Sequence, residues 1–569
     1  MAKGYPVPHP NSSVARAMRV HGVSESPELT RILGIKRRKL VIEPTRVVRD
    51  GVALPDLTPL FRRAGGTLDI WPLQNASLHE IYEANGGLLL LGVGEGKSLI
   101  SLMAAEVLDS KRCVLLVKPQ LRNKLLTQDL PFYSAHFNLP LDRIHVVSYN
   151  ELSSAEKAGI LNKIQPDLLI ADECHCLSLR NSTRTRRFMR YFKERPGTRF
   201  IGLSGTISKR SILNYAHLLE LALGKNSPLP LNFRVLEEWA KALDTEECTP
   251  GALMKLCAPE ENVRSGYRRR LVETPGVVAS VESSIGTSLI IQSRPLPLPS
   301  NVKAELARLY DEWTIGEEVL TDAMALSRVA RQIVTGFYYI WKWEDGKRDG
   351  EWIDARRGWH RSVREYLLHT SREGMDSPLL LARAAIAGKW PCPDWGPWDA
   401  VRDRPEPETL PVWINDFMVA DAIKWGKEHL KTNGIVFYEH HAIGAMIAEF
   451  GGFPLYGAGT DASTSDPSRE PVIVCSMKSQ AEGKNLQAWS NILITSPPAN
   501  GLAWEQCVGR IHRPGQMADE CVVDVYLHCD EFKRAFEQAL SDAAFIQETQ
   551  GQKQRLLFAT KLIEVDSST

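Results

Sequence analysis

The apolar run LLLLGV leads straight into GEGKSLISLMAAEVL, so Gly94, Glu95, Gly96, Lys97, Ser98 and Leu99 stand where a loop opens a helix. That placement suits phosphate. Glycines let backbone N–H groups approach anionic oxygens, the helix N-terminus adds partial positive charge, Lys97 can reach β and γ phosphates, and the Ser98 hydroxyl can ligate magnesium. Leu91 replaces the leading glycine of the strict phosphate-loop pattern, and a lone GxGKS arises by chance. Its position directly after a strand carries the weight.

A second strand-like run, DLLIADECHCLS, ends in Asp172, Glu173, Cys174 and His175. Adjacent carboxylates at the end of a buried parallel strand divide the labour: Asp172 can hold magnesium through its water shell, and Glu173 can orient and deprotonate an attacking water. A third run, RFIGLSGT, ends in Ser204, Gly205 and Thr206 and is uninformative alone. In WEQCVGRIHRPGQ, the residues Gln506, Arg510 and Arg513 stand at i, i+4 and i+7, a spacing that places them on one helical face. Arginines presented to a nucleotide by a second lobe supply charge stabilisation when the lobes close.

Parallel-sheet lobes must position these groups. Runs at 88–93, 114–119, 143–148, 167–172 and 199–205 alternate with helix-like segments, and a second series lies at 434–439, 453–458, 471–476, 491–496 and 522–527. Unbroken apolar strands spaced by helices imply sheets covered on both faces. Pro-rich joints, SRPLPLP and KWPCPDWGPW, mark boundaries. The expected division is an accessory region at 1–66, a first lobe at 67–290, a mainly helical insertion at 291–410, and a second lobe with C-terminal helices at 411–569. Within the insertion, a helix over 352–369 sets Trp352, Trp359, Val363 and Tyr366 opposite Arg357, Arg361 and Arg364.

With 569 residues, 43% of them hydrophobic, the chain is long enough for several domains with sizeable cores. No apolar run approaches the ~18 residues that span a bilayer, which argues against a membrane partner. The first residues, MAKGYPVPHPNSSVARAMRV, lack an apolar signal core, so the expected location is a reducing cytoplasm with thiol cysteines. The ten cysteines show no CxxC spacing, which leaves magnesium on a nucleotide as the expected metal. Net charge is only +1, so any nucleic-acid partner must be read from local clusters. These are Lys36–Lys39, the run from Arg180 to Arg190 and Arg268–Arg270, each of which is by default a solvated face.

The ordered set GxGKS, DECH, SGT and QxxGRxxR resembles the superfamily-two helicases, and His512-Arg513-Pro514-Gly515-Gln516 resembles the Swi/Snf DNA translocases. The resemblance covers roughly 68–290 and 410–530, and it implies α/β architecture with two tandem RecA-like parallel-sheet lobes. It implies ATP and Mg2+ as cofactors, Gln74 as the adenine-reading glutamine, and Lys97, Asp172, Glu173, Gln506, Arg510 and Arg513 as catalytic groups. His175, Ser204, Thr206, Gly483 and Asn485 fall at coupling positions, although Gln480-Ala481 replaces the family's double glycine. Double-stranded DNA is the implied partner of a monomeric motor of bacterial or phage type, with Arg184, Arg186 and Arg187 expected to face phosphates. A strand-separating DNA or RNA helicase and an ATP-gated DNA clamp are the rival readings.

Overall fold

The computed structural model describes residues 22–92, 95–205, 211–244, 248–280, 287–316, 318–320, 323–343, 346–370, 375–481, 483–513 and 515–562. The chain is mixed α/β and divides into two compact units, Met1–Glu282 with Phe545–Gln552, and Ser283–Ala544 with Lys553–Thr569.

Near its start, after a helix over Pro27–Gly34, unit 1 carries a small antiparallel sheet of β1 (Leu40–Ile42), β2 (Val47–Arg49) and β3 (Val52–Ala53). Helix α1 (Pro72–Ala84) leads into β4 (Gly87–Leu90), and α2 (Lys97–Val107) leads into β5 (Cys113–Val117). Then follow β6 (Ile144–Ser148), β7 (Leu168–Asp172), helix α3 (Thr183–Glu194), β8 (Arg199–Ser204) and β9 (Val277–Ala279). The large sheet has the order β6-β5-β7-β8-β4-β9, and every pairing in it is parallel. All five residues of CVLLV in β5 are buried, as are all four of GLLL in β4, because helices cover both faces.

Unit 2 opens with β10 (Ser288–Arg294), then β11 (Thr314–Ile315), β12 (Glu318–Val319), β13 (Phe337–Lys342), helix α4 (Gly350–His369) and β14 (Glu408–Trp413). Its second half holds β15 (Gly434–Tyr438), β16 (Leu455–Tyr456), β17 (Val472–Ser476), β18 (Asn491–Ile494), helix α5 (Gly501–Val508), β19 (Glu520–Tyr526), helix α6 (Asp530–Gln550) as far as Ala544, and β20 (Thr560–Leu562). Seven of these strands form one parallel sheet in the order β16-β17-β15-β18-β19-β10-β20. The Asp524 carboxylate is buried there between donors, accepting from Gln292 Nε2 at 2.9 Å and from Trp425 Nε1 at 2.8 Å.

Two features depart from the sequence expectation. The boundary placed at 290 falls inside β10, which pairs along its whole length with β19 of the second sheet. A Pro-rich joint does mark an element's end, but only backbone pairing shows to which sheet the preceding strand belongs. The helical insertion also closes on an antiparallel ribbon, β13 with β14, whose register runs from Phe337–Trp413 to Lys342–Glu408. No helix among the described residues is long and apolar enough to cross a membrane.

Candidate nucleotide site

Three strand ends of unit 1 converge on one charged cluster. β8 lies between β4 and β7 in the sheet, so the loop after β4, Ser204 at the end of β8, and Asp172-Glu173 after β7 share the C-terminal edge. Lys97 Nζ lies 2.9 Å from Glu173 Oε1 and donates to the Leu91 carbonyl at 3.3 Å. A Cβ on Gly205 would sit 3.7 Å from the same ammonium. The expected loop residue Gly94 and the expected coupling residue Thr206 lie outside the described residues.

Local backbone geometry builds the cluster. Gly96 caps α2 with φ +75°, and a Cβ there would collide with the Gln74 side-chain amide. Glycine is therefore required twice over at this position. Gln74 is 3% exposed, its Oε1 accepting from the Trp71 N–H at 2.8 Å while its Nε2 lies 3.4 Å from the Gly96 carbonyl. It joins the start of α1 to the phosphate-type loop. The Glu95 carboxylate folds back on the Gly92 N–H. Glu173 is left-handed, φ 56° and ψ 53°, a conformation that costs a non-glycine residue roughly 1–3 kcal/mol. The turn aims its side chain at Lys97 and His175, and the Tyr149 hydroxyl donates to the Asp172 carbonyl at 2.8 Å to hold the strand end.

His175 Nδ1 lies 2.9 Å from Ser204 Oγ and 3.2 Å from Glu173 Oε2. The ring thus links the end of β8 to the glutamate. Burial opposes a charged imidazole, but hydrogen bonds with Cys176 and Glu173 outweigh it and push His175 up to about 9. Burial and the neighbouring Glu173 charge push the Asp172 carboxyl up to about 6. Burial acts against an ionised Glu173, yet Lys97 and His175 hold it well below the usual carboxylate range. Lys97, opposed by burial and favoured by Glu173, Asp172 and Glu95, is raised above its ordinary value.

Asp172 Oδ1 is buried without a hydrogen-bond partner, an unmet acceptor that suits a hydrated divalent cation. Ser98, in the first turn of α2 and only partly buried, is a fitting second oxygen. Leu99 does not join them: its side chain is 3% exposed in the core, and its N–H is taken by the Gly96 carbonyl at 3.1 Å. Lys118 was not singled out by motif spacing. It directly follows β5, is 8% exposed, and its charge acts on Asp172, Glu173 and His175. A lysine closing the buried run CVLLV was the available signal.

In unit 2 the expected single helical face for Gln506, Arg510 and Arg513 is not formed. Helix α5 ends at Val508, and residues from Gly509 onward continue as turns, with Arg510 N bonded to the Cys507 carbonyl at 3.2 Å. Gly509 weakens helix propagation at that point. Gln506, in the last turn of α5, is partly exposed. Arg510 is 4% exposed and donates to the carbonyls of Gln506 at 2.8 Å and Lys484 at 2.9 Å. It ties the turn to the stretch holding Gly483, at φ +69°, and the exposed Asn485. Arg513 differs, with a buried Nε that has no hydrogen-bond partner. Burial and the nearby Arg555 charge lower its pKa. Gln480, which stands where the resemblance would place a glycine, accepts through its amide from Ala462 N at 3.2 Å and donates to the Gly457 and Thr460 carbonyls at 2.8 and 2.9 Å. A double glycine could not pin that loop.

The arginine run on α3 also needs correction. Arg186 and Arg187 are 8% and 4% exposed, and Arg187 donates to the carbonyls of Leu152 and Ser154. Those two guanidiniums do not face solvent phosphates; Arg184 is partly exposed, and Arg180 lies over the Phe233 ring at 5.4 Å. The chain matches no family model, and no curated protein matches it.

Proposed function

We propose that this chain is an ATP-hydrolysing translocase on double-stranded DNA, built on two RecA-like lobes of the superfamily-two, Swi/Snf type. The observation that carries the reading is the meeting of Lys97, Asp172, Glu173, His175 and Ser204 at three adjacent strand ends, from three separate stretches of sequence.

Each residue has a role suited to its environment. Lys97 exchanges its Glu173 partner for phosphate oxygens, with Gly96 admitting the close approach of the loop. Gln74, fixed between Trp71 and Gly96, offers its amide to the base. Glu173, kept ionised, accepts a proton from the attacking water, and His175 relays its orientation to Ser204 at the neighbouring strand end. Asp172 and Ser98 would hold magnesium, which when bound supplies positive charge to the phosphate oxygens. Arg513 is the cation assigned to charge that develops on the transferred phosphoryl group.

A triplex-displacement assay tests the function. ATP-dependent removal of a third strand from intact duplex DNA is the expected result, abolished by Lys97→Ala. Strand separation at a fork without triplex displacement would favour a helicase, and hydrolysis without either would favour a clamp.

A further inference from the structure

Helix α4 has two chemically distinct faces. Trp352, Ile353, Trp359 and Val363 are buried in two small tryptophan-rich cores. The other side exposes Arg357, His360, Arg361 and Arg364, at i, i+3, i+4 and i+7. Seven residues of helix make this stripe about 10.5 Å long, close to three nucleotides of one strand at ~3.4 Å each.

The stripe is only loosely neutralised, since its two ion pairs lie at the long end of the range and Arg364 has none among the described residues. The nearest carboxylates are 4.0 Å from Arg357, at Asp354, and 3.8 Å from Arg361, at Asp394. Among the described residues Arg364 has no ion pair, and Glu365, which shares the exposed side, makes none with Arg361. Nearby acids are committed elsewhere: Asp349 and Glu351 each sit 2.7 Å from Arg404, Asp399 sits 2.9 Å from Arg402, and Glu406 sits 2.9 Å from Arg356. Arg356 itself lies over the Trp352 ring at 4.9 Å and serves the core. Burial first, and then the Arg356 and Arg364 charges, lower the His360 pKa against the opposing pull of Glu406.

We propose that the Arg357–Arg361–Arg364 face of α4 is a phosphate-gripping surface for duplex DNA, carried by the Trp-rich insertion. The assignment rests on the translocase reading and names the surface through which that function holds its track. Guanidiniums held by carboxylates only at 3.8–4.0 Å, or by none, lose little on meeting phosphate, and a backbone grip carries no sequence preference.

The test uses the full chain and a mixed-sequence duplex, with affinity measured across a salt series. The triple variant Arg357→Gln/Arg361→Gln/Arg364→Gln is expected to bind roughly tenfold or more weakly, with a salt slope flatter by up to ~0.9 for each phosphate that is no longer neutralised. The corresponding triple lysine variant retains most of the slope, and ATP turnover without DNA is unchanged in both. A wild-type chain that binds duplex while the glutamine variant matches its affinity and slope would overturn this assignment alone. A wild-type chain that binds no duplex would sink the functional reading as well. Binding of acidic polypeptide in preference to duplex, abolished in the glutamine variant, would make the face a protein-docking surface and contradict the proposal.

Discussion

Lys97 Nζ and Glu173 Oε1 are 2.9 Å apart although the two residues come from different loops of unit 1. The cation of the phosphate-type loop is therefore held by the carboxylate assigned to the attacking water. Removing either partner has opposite consequences for binding. Lys97→Ala removes the cation and should cut turnover by on the order of a hundredfold or more, with nucleotide binding weakened. Glu173→Gln should lower turnover by about 100- to 10,000-fold while nucleotide binding is kept or tightened, because Lys97 loses its competitor. Steady-state turnover and equilibrium binding of a fluorescent ATP analogue separate the two, and normal turnover in Glu173→Gln would remove Glu173 from its role.

His175 links that pair to Ser204, and its raised pKa makes stability depend on pH. The folded state binds a proton that the unfolded chain releases above the ordinary value of 6.5. The contribution is fully present below pH 6.5 and is lost as pH rises through about 9. Chemical denaturation near pH 6 and above pH 9 should show the wild type losing on the order of 1–3 kcal/mol more than His175→Gln over that window. Equal losses in the two proteins would contradict the ionised His175–Glu173 contact.

Arg187→Ala should lower stability by about 1–3 kcal/mol, since the Leu152 and Ser154 carbonyls lose a buried charged donor. Arg184→Ala, at a partly exposed position on the same helix, should change it by less than about 0.5 kcal/mol. Urea midpoints check both. Unchanged stability in Arg187→Ala, with weakened DNA binding, would restore the phosphate-facing role expected from the sequence.

Arg513→Ala should reduce turnover by on the order of a thousandfold, with ATP affinity changed much less. Arg510→Ala should instead lower the thermal midpoint, because Arg510 bonds the Gln506 and Lys484 carbonyls inside unit 2. Scanning calorimetry alongside turnover distinguishes these effects, and an Arg513→Ala protein with wild-type turnover would exclude it as the cation at the phosphoryl group.

What sequence could and could not disclose follows from where each interaction is encoded. Lys97, Asp172 and Glu173 were legible because Lys97 opens the helix that follows one unbroken apolar strand, Asp172-Glu173 close another, and a parallel sheet gathers strand ends at one edge. The helix carrying Arg357, Arg361 and Arg364 was legible from its period, and α4 spans Gly350–His369. The burial of Arg187 was not, because it depends on α3 docking against carbonyls at 152 and 154, which no local pattern records. Nor was the stop of α5 at Val508, where a regular i, i+4, i+7 spacing continues through a glycine into turns. Lys118 escaped because a single cation after a strand has no spacing signature, only burial once the sheet is assembled.

The most direct test of the central claim is the rate of phosphate release from ATP by the full chain with no nucleic acid, single-stranded DNA, duplex DNA and RNA. Duplex DNA should stimulate turnover most, and the stimulated rate should vanish in Glu173→Gln. An unstimulated rate, or equal stimulation by every nucleic acid, would contradict a duplex-driven motor built on the Lys97–Glu173 centre.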